Sequence, residues 1–337
     1  MISLALPGKS NPTERILGVT PANLPYRILV TGGAGFIGTH LTDHLTANAA
    51  DVTVVDNFAN GNEDWLTDDA TVVERDLTKP DALDGVLTAE FDLVFHLAAS
   101  KAVNSERPRE QFEANTQMTY TVLETMQEVG VDELAYTSTS TVYGEAPRPT
   151  PEDYAPLEPI SAYGASKLAD EGLCSTYAHS HDLTVRTFRF ANIVGSRLRG
   201  AVIPDFIEKL EENPETLTIL GNGRQEKSYM YIEDCIDAML HVLEHANGSL
   251  ATYNLGTRTT TSVNRIADIV SDELGLEPDY EYTGGDRGWT GDVPKMRLSI
   301  EKLDALGWEP TYESDKAVRQ ATRKLLTDLE IAEPPSL

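Results

Sequence analysis

Tyr163 and Lys167 stand four residues apart in Tyr163-Gly164-Ala165-Ser166-Lys167. On a helix, residues four apart share a face. The spacing therefore sets the Lys167 ammonium beside the Tyr163 phenol. A free tyrosine has a pKa of about 10 and is a poor base near neutrality. A nearby cation favours the phenolate, and a tenfold gain in the ionised form corresponds to about 1.4 kcal/mol. Such a phenol can take a proton from an alcohol while hydride leaves the same carbon. An isolated Tyr-x-x-x-Lys is more often a surface helix with a half-buried tyrosine, so the pair needs support from the rest of the chain.

That support starts at Thr31-Gly32-Gly33-Ala34-Gly35-Phe36-Ile37-Gly38. The run follows the apolar segment Arg27 to Thr31 and opens a helical pattern, Phe36 to Ala47. Gly32 permits a tight turn, Gly35 lets backbone approach a pyrophosphate, and Gly38 lets helix and strand pack closely. Bare N–H groups and the helix dipole then favour an anion. Asp56 ends the next β-branched run, eighteen residues after Gly38. A carboxylate there accepts bonds from ribose hydroxyls and repels a 2′-phosphate, which favours NAD over NADP. The cationic nicotinamide ring of NAD would lower the Tyr163 pKa further.

These residues need rigid elements beneath them. Arg27 to Thr31, Asp51 to Val55, Thr71 to Glu74, Phe91 to Leu97 and Leu134 to Ser138 read as strands. Phe36 to Ala47, Phe112 to Val129 and Tyr163 to Ser180 read as helices. The alternation predicts an α/β fold with a Rossmann-type, doubly wound parallel sheet. Continuous apolar runs fit strands buried on both faces. After Asn192, prolines 204, 214, 278 and 294 interrupt shorter elements. The expected division is an N-terminal extension (1–25), an NAD-binding domain (26–192) and a smaller substrate-binding α/β domain (193–331). A stretch near 233–256, with a helix Glu233 to His245, is expected to return to the main sheet. Val263 to Leu274 reads as another helix, and the last residues, 332–337, as a loose tail.

Acids outnumber bases 54 to 27, a formal charge of −27. Such a chain repels nucleic acid and anionic membranes, which excludes both as partners. High net charge keeps a protein soluble where salt screens the repulsion, so a halophilic source is expected. No run of eighteen apolar residues predicts a membrane span, and residues 1–25 lack the apolar core of a secretory signal. Cys174 and Cys235 show neither metal-ligand spacing nor a disulfide framework, so no metal is expected and a reducing cytoplasm fits.

The glycine spacing G-x-x-G-x-x-G, with Tyr-x-x-x-Lys, resembles the extended short-chain dehydrogenases/reductases, and further motifs resemble the UDP-glucose (galactose) 4-epimerases among them. The resemblance runs from about Tyr26 to about Pro310. It implies that Asp56-Asn57-Phe58-Ala59-Asn60-Gly61 meets the adenosine ribose and Asp76-Leu77 the adenine. His96-Leu97-Ala98-Ala99 resembles the strand end under the cofactor, with His96 structural. Lys101 matches a lysine near the cofactor ribose, and Asn115 the asparagine opening the next helix. In the family, a serine or threonine four residues before the tyrosine of a Val-Tyr-Gly turn bonds the reacting hydroxyl. Val142-Tyr143-Gly144 is that turn. Thr139 is then the match, Ser138 and Ser140 are weaker candidates, and Tyr143 is structural.

The same resemblance places the nucleotide sugar in the second half. Asn192, in Arg189-Phe190-Ala191-Asn192, matches an asparagine that bonds the diphosphate. Val202 lies in a loop near the uracil. Lys227 stands where the family has a phosphate-binding arginine; it lacks the bidentate fork, and Arg224 could compensate. Asp292 fits an aspartate that meets a ribose hydroxyl. Arg287 lies five residues before it, where the family's arginine lies three before, and Trp289 occupies that position. The helices from Phe112 and from Tyr163 match those that form a four-helix homodimer interface.

Dehydrating relatives carry Asp-Glu directly after the threonine, and decarboxylating relatives keep a glutamate nearby. This chain has Ser140-Thr141, and neither side chain is a useful acid or base at neutral pH. The resemblance thus implies an NAD-dependent 4-epimerase of a UDP-sugar that works through a 4-keto intermediate. The alternatives are a dehydratase or reductase of the same family, or a non-catalytic NAD-binding regulator, which would not need to keep Tyr163 and Lys167.

Overall fold

A computed structural model describes residues 26–101, 106–288 and 291–331. The N-terminal extension, Trp289 and the tail lie outside the described residues. The first half contains β1 (Arg27–Thr31), α1 (Phe36–Ala47), β2 (Asp51–Asp56), β3 (Thr71–Glu74), β4 (Leu93–His96), α2 (Pro108–Val129), β5 (Glu133–Thr139), α3 (Ala162–Ser180) and β6 (Thr184–Phe190). The second half contains β7 (Asn192–Val194), α4 (Val202–Glu212), β8 (Thr216–Ile219), β9 (Glu226–Lys227), β10 (Tyr229–Tyr231), α5 (Ile232–His245) and β11 (Leu250–Leu255). It continues with β12 (Thr261–Ser262), α6 (Val263–Leu274), β13 (Asp279–Tyr282), β14 (Lys295–Met296), α7 (Glu301–Asp304) and α8 (Ser314–Asp328).

Seven strands form one sheet in the order β11-β6-β5-β4-β1-β2-β3. Every pairing in it is parallel. Ile28, Leu29 and Val30 are all fully buried because β1 has a core on each face. Ile28 and Val30 join Val52, Val54, Phe95 and the α1 leucines Leu41 and Leu45 on one side. Leu29 joins Val55, Val94, Tyr136 and the α2 residues Val122, Leu123 and Met126 on the other. Parallel sheets need such double cover. The sequence order reverses between β1 and β4, so a crevice opens there at the carboxyl ends of the strands, where ligands bind in this class of fold.

β11 pairs with β6 from Leu250↔Val185 to Leu255↔Phe190, so the chain re-enters the large sheet after α5. Around it stand three small sheets, β10-β7, β12-β9-β14 and β13-β8. Their core is continuous with the first: Ile203, Phe206, Leu217, Ile266 and Ala317 belong to the same cluster as Val54 and Phe95.

Two helix starts differ from the sequence reading. α2 begins at Pro108, because proline at the first helical position lacks only an N–H that would have no partner there. Asn115 therefore lies two turns inside α2 rather than at its opening. Pro204 does not interrupt an element; it sits in the first turn of α4, where proline is tolerated. No described helix is long and apolar enough to cross a membrane.

Candidate active site

The glycine turn is set by contact. Gly32 has φ +69°, and a Cβ there would meet the Ala98 backbone N at 2.6 Å. A Cβ at Gly38 would meet the Gly32 carbonyl oxygen at 2.3 Å. Backbone thus presses on backbone on both sides, and no side chain fits. Gly35 caps α1 with no side-chain bond, so the first-turn amides remain available to an anion. Half-buried Phe36 and Ile37 form that turn.

Asp56 stands beside it with each carboxylate oxygen fixed by one backbone amide. Ala34 N donates to Oδ2 at 3.0 Å and Phe58 N to Oδ1 at 2.9 Å. Each oxygen keeps a lone pair for a ribose hydroxyl. Asn57 accepts a bond from Ala59 N at 3.0 Å, Asn60 is exposed, and Gly61 backs onto Ala34. Asp76 accepts from the Thr78 amide at 3.0 Å and hydroxyl at 2.7 Å. The hydroxyl bond chiefly holds the Asp76 carboxyl below its usual range. Leu77 is buried in the core. The cradle, the bare amides and the fixed carboxylate together fit a dinucleotide.

Across the crevice, Leu97, Ala98 and Ala99 continue β4 and are half-buried; Lys101 is exposed beside the undescribed residues 102–105. Buried Asn115 ties this segment to α3. Its Oδ1 accepts from Ser100 N at 2.7 Å, and its Nδ2 donates to Ser100 O at 3.1 Å and to Ser166 Oγ at 2.8 Å. His96 bridges Thr31 Oγ1 (2.7 Å) and Thr119 Oγ1 (3.2 Å). Burial, and then Lys167, lowers its pKa to about 3, so it is a neutral structural link.

Ser161 starts α3 by accepting a bond from Gly164 N at 3.1 Å. Tyr163 and Lys167 lie on the same face, but the ammonium does not settle on the Tyr163 phenol. Lys167 Nζ stands 4.3 Å from the centre of the Tyr136 ring. Burial, and then the charge of Asp170, pushes the Tyr163 phenol up to about 12. Burial also lowers the Lys167 pKa, against Asp170, Cys174 and Glu171. The lowering of Tyr163 expected from the spacing is thus outweighed, in the protein by itself, by loss of water around the phenol.

Thr139 ends β5 and caps the short turn Ser140–Tyr143, accepting from Thr141 N at 3.2 Å. That turn presses on α3 next to Tyr163: a Cβ on Gly164 would meet Thr141 O at 2.9 Å. Thr139, Tyr163 and Lys167 are so gathered at one end of the sheet. Ser138 points elsewhere, donating to Glu171 Oε1 at 2.5 Å; Ser140 is buried. The Tyr143 hydroxyl donates to Asn254 Oδ1 and accepts from Arg189, both at 2.8 Å, which makes it a strut.

The second-half residues stand on other elements. Asn192 opens β7, held by its amide to Ser228 O at 3.1 Å, and Val202 is the first residue of α4. Lys227 Nζ meets Asp292 Oδ1 at 2.6 Å, so the lysine expected on phosphate and the aspartate expected on ribose bind each other here. Asp292 is buried, and a charge there is stable only with such a partner. Arg287 donates to the Asp292 carbonyl and to the Glu145 carboxylate. Arg224 is exposed on its loop.

Sequence reasoning missed Tyr136, Ser166, Asp170 and Glu171. Asp170 and Glu171 follow Lys167 at helical spacings of three and four, a signal that was readable. Tyr136 lies on another element, and no spacing rule reaches it.

A doubly wound dinucleotide-binding fold that carries a Tyr–Lys pair at the carboxyl ends of its strands is an oxidoreductase-type scaffold. Residues 28–256 match the NAD dependent epimerase/dehydratase family, and the chain belongs to that family. It is 31% identical over 300 residues to a putative UDP-glucose 4-epimerase of Methanocaldococcus jannaschii, covering 87% of this chain and 96% of the relative. It is 30% identical to UDP-glucuronic acid decarboxylase 1 of Danio rerio, covering 90% of this chain and 73% of that one. A crystal structure of a UDP-galactose 4-epimerase superimposes with a TM-score of 0.82 at 40% identity, covering 90% of this chain and 99% of the other.

Asp56 allows a direct test of the ribose assignment. Asp56→Ala is expected to weaken NAD binding roughly tenfold or more, the loss of a charge-assisted bond of about 1.5–3 kcal/mol. It should also narrow the preference for NAD over NADP. Titration of both cofactors checks this, and an unchanged preference would sink the assignment.

Proposed function

We propose that this chain inverts C4 of a UDP-sugar of the glucose/galactose type through a transient 4-keto sugar. The observation that carries this reading is the turn after Thr139. It packs beside Tyr163 and supplies Ser140 and Thr141 but no carboxylate. Glu145, the nearest acid beyond it, is paired with Arg287. Elimination needs an added acid and base, whereas epimerisation needs only one proton acceptor that later returns its proton.

NAD held by the Gly32–Gly38 turn and Asp56 would supply the hydride chemistry at C4. Tyr163 Oη takes the proton of the 4-hydroxyl and gives it back, so no net proton is required. Thr139 holds the same hydroxyl. Lys167 offsets the charge that develops on Tyr163. Asn192, Val202 and Arg287 hold the nucleotide end, with Lys227 and Asp292 once their mutual pair opens. Residues 193–331, apart from the stretch returning to the large sheet, serve as the substrate-binding part. Firm anchoring of the nucleotide with a loosely held sugar lets the 4-keto group turn over.

The second reading is another nucleotide-sugar enzyme of the same family, a dehydratase or reductase, and the 30% identity to a decarboxylase supports it. We also infer a cytoplasmic homodimer adapted to high salt. Its support is the packed α2–α3 pair, exposed Phe112 and Tyr120 on α2, two free buried cysteines, and the charge of −27.

The test is incubation of the purified protein in high salt with UDP-, dTDP- and GDP-sugars, followed by NMR of the products. A C4-inverted UDP-sugar formed without added cofactor is the expected result. A 4-keto product, a pentose product, or dependence on added NADPH would overturn it.

A further inference from the structure

Tyr163, Lys167 and Asp170 lie at spacings of four and three along α3, so Asp170 continues the face that carries the reacting pair. Both charged members are buried: Lys167 is 2% exposed and Asp170 1% exposed. Tyr136, from β5, lies between the two. Its hydroxyl donates to Asp170 Oδ2 at 2.9 Å, and its ring carries the Lys167 ammonium at 4.3 Å. Asp170 Oδ1 is buried and closes no hydrogen bond of normal geometry among the described residues, with the Thr119 hydroxyl on α2 facing the carboxylate. A carboxylate left half-satisfied in the core costs stability unless a charge nearby compensates it. Lys167 is the ammonium within reach on the same helix face.

We propose that Asp170 is a positioning residue for the reaction, the buried counter-ion that, clamped by Tyr136, holds the Lys167 ammonium charged and in place over the Tyr136 ring, on the helix face that carries Tyr163. This rests on the reading of Tyr163 and Lys167 as the reacting pair. The need for a counter-ion is physical. Burial alone drives an ammonium to lose its proton, and a neutral Lys167 cannot offset charge on Tyr163. The groups that face Lys167 are Asp170, Glu171 and Cys174 on α3, Tyr136 on β5 and His96 on β4. His96 is neutral and the Cys174 thiol is pushed up by burial, which leaves the two α3 carboxylates; burial raises the Asp170 carboxyl as well, and the Lys167 charge and the Tyr136 hydroxyl act against that rise. Glu171 is already bound to Arg189 through both oxygens, which leaves Asp170.

The experiment reads the charge of Lys167 directly. Lysine 13Cε resonances are followed against pH in the NAD-loaded full-length protein, with Lys167→Met to assign the signal. Asp170→Asn keeps shape and can still accept from Tyr136, but it removes the charge. Its Lys167 midpoint is expected to fall by about one pH unit or more, tenfold in proton affinity. Tyr136→Phe keeps the charge and releases the clamp, and a smaller fall in the same direction is expected. In turnover, the alkaline limb of kcat should move down by the same interval while KM holds. A Lys167 midpoint unchanged in both variants would overturn the proposal. Should Asp170→Asn fail to fold, Tyr136→Phe decides alone. The NMR midpoint needs no substrate, so failure of the epimerase reading would show separately, as absent turnover by the parent protein.

Discussion

Tyr163→Phe is expected to bind NAD as the parent does and to turn over its sugar nucleotide about 10²- to 10⁴-fold more slowly, the range for losing a positioned proton acceptor. The substitution removes one oxygen and keeps the ring. α3 should therefore stay in place, because its start depends on Ser161 and its anchoring on Ser166, Lys167 and Glu171. The dinucleotide cradle also stays, since Gly32, Gly38 and Asp56 lie on other elements. Loss should thus fall on kcat. The high pKa of the phenol, about 12, strengthens this expectation. A phenol held neutral by burial becomes a base only as charge is offset around it, and phenylalanine offers no oxygen for that charge to act on. Product NMR measures the rate, and fluorescence titration the cofactor. Near-parental turnover would show that another group takes the proton.

The sheet is legible in the sequence because each parallel strand is a short apolar run closed by a turn, and a residue buried on both faces leaves little choice of type. The same holds for Gly32 and Gly38, where backbone on both sides forbids any Cβ. Asp56 is readable from its distance along the chain, since one strand must cross back to reach the turn. Three features are harder. Asn115 reads as the opening of a helix unless Pro108 is recognised as a helix start. Lys227 and Asp292 read as two separate ligands, whereas they are a pair, formed across sixty-five residues that no local pattern links. Spacing alone sets Lys167 against Tyr163. It fixes the face of a helix but not the end of a four-carbon side chain, and the Tyr136 ring, from strand β5, holds the ammonium.

Arg189→Met is expected to cost about 3–5 kcal/mol, a large share of the roughly 5–15 kcal/mol that separates a folded domain from its unfolded chain. Arg189, on β6, meets both oxygens of Glu171, at 2.9 and 2.6 Å, and also donates to the Tyr143 hydroxyl at 2.8 Å and Glu152 O at 3.1 Å. Its side chain and that of Glu171 are 7% and 11% exposed. Taking Arg189 away leaves the Glu171 carboxylate in the core with Ser138 Oγ as its remaining side-chain donor, an uncompensated buried charge. The double variant Arg189→Met with Glu171→Met removes both charges and should recover most of the loss, because two apolar groups of similar size carry no desolvation penalty. Urea unfolding at a fixed saturating NAD concentration measures this, since ligand otherwise shifts the midpoint by mass action. A buried pair is weakly screened, so the cost of Arg189→Met should persist from low to high salt, while exposed pairs such as Arg109–Glu113 contribute less as salt rises. A single-variant cost below about 1 kcal/mol, the value of an exposed pair, would mean that the network does not hold β5, α3 and β6 together. In that case the placement of Thr139 beside Tyr163 would rest on the other ties between β5 and α3, the Tyr136–Asp170 hydrogen bond and the close contact at Gly164.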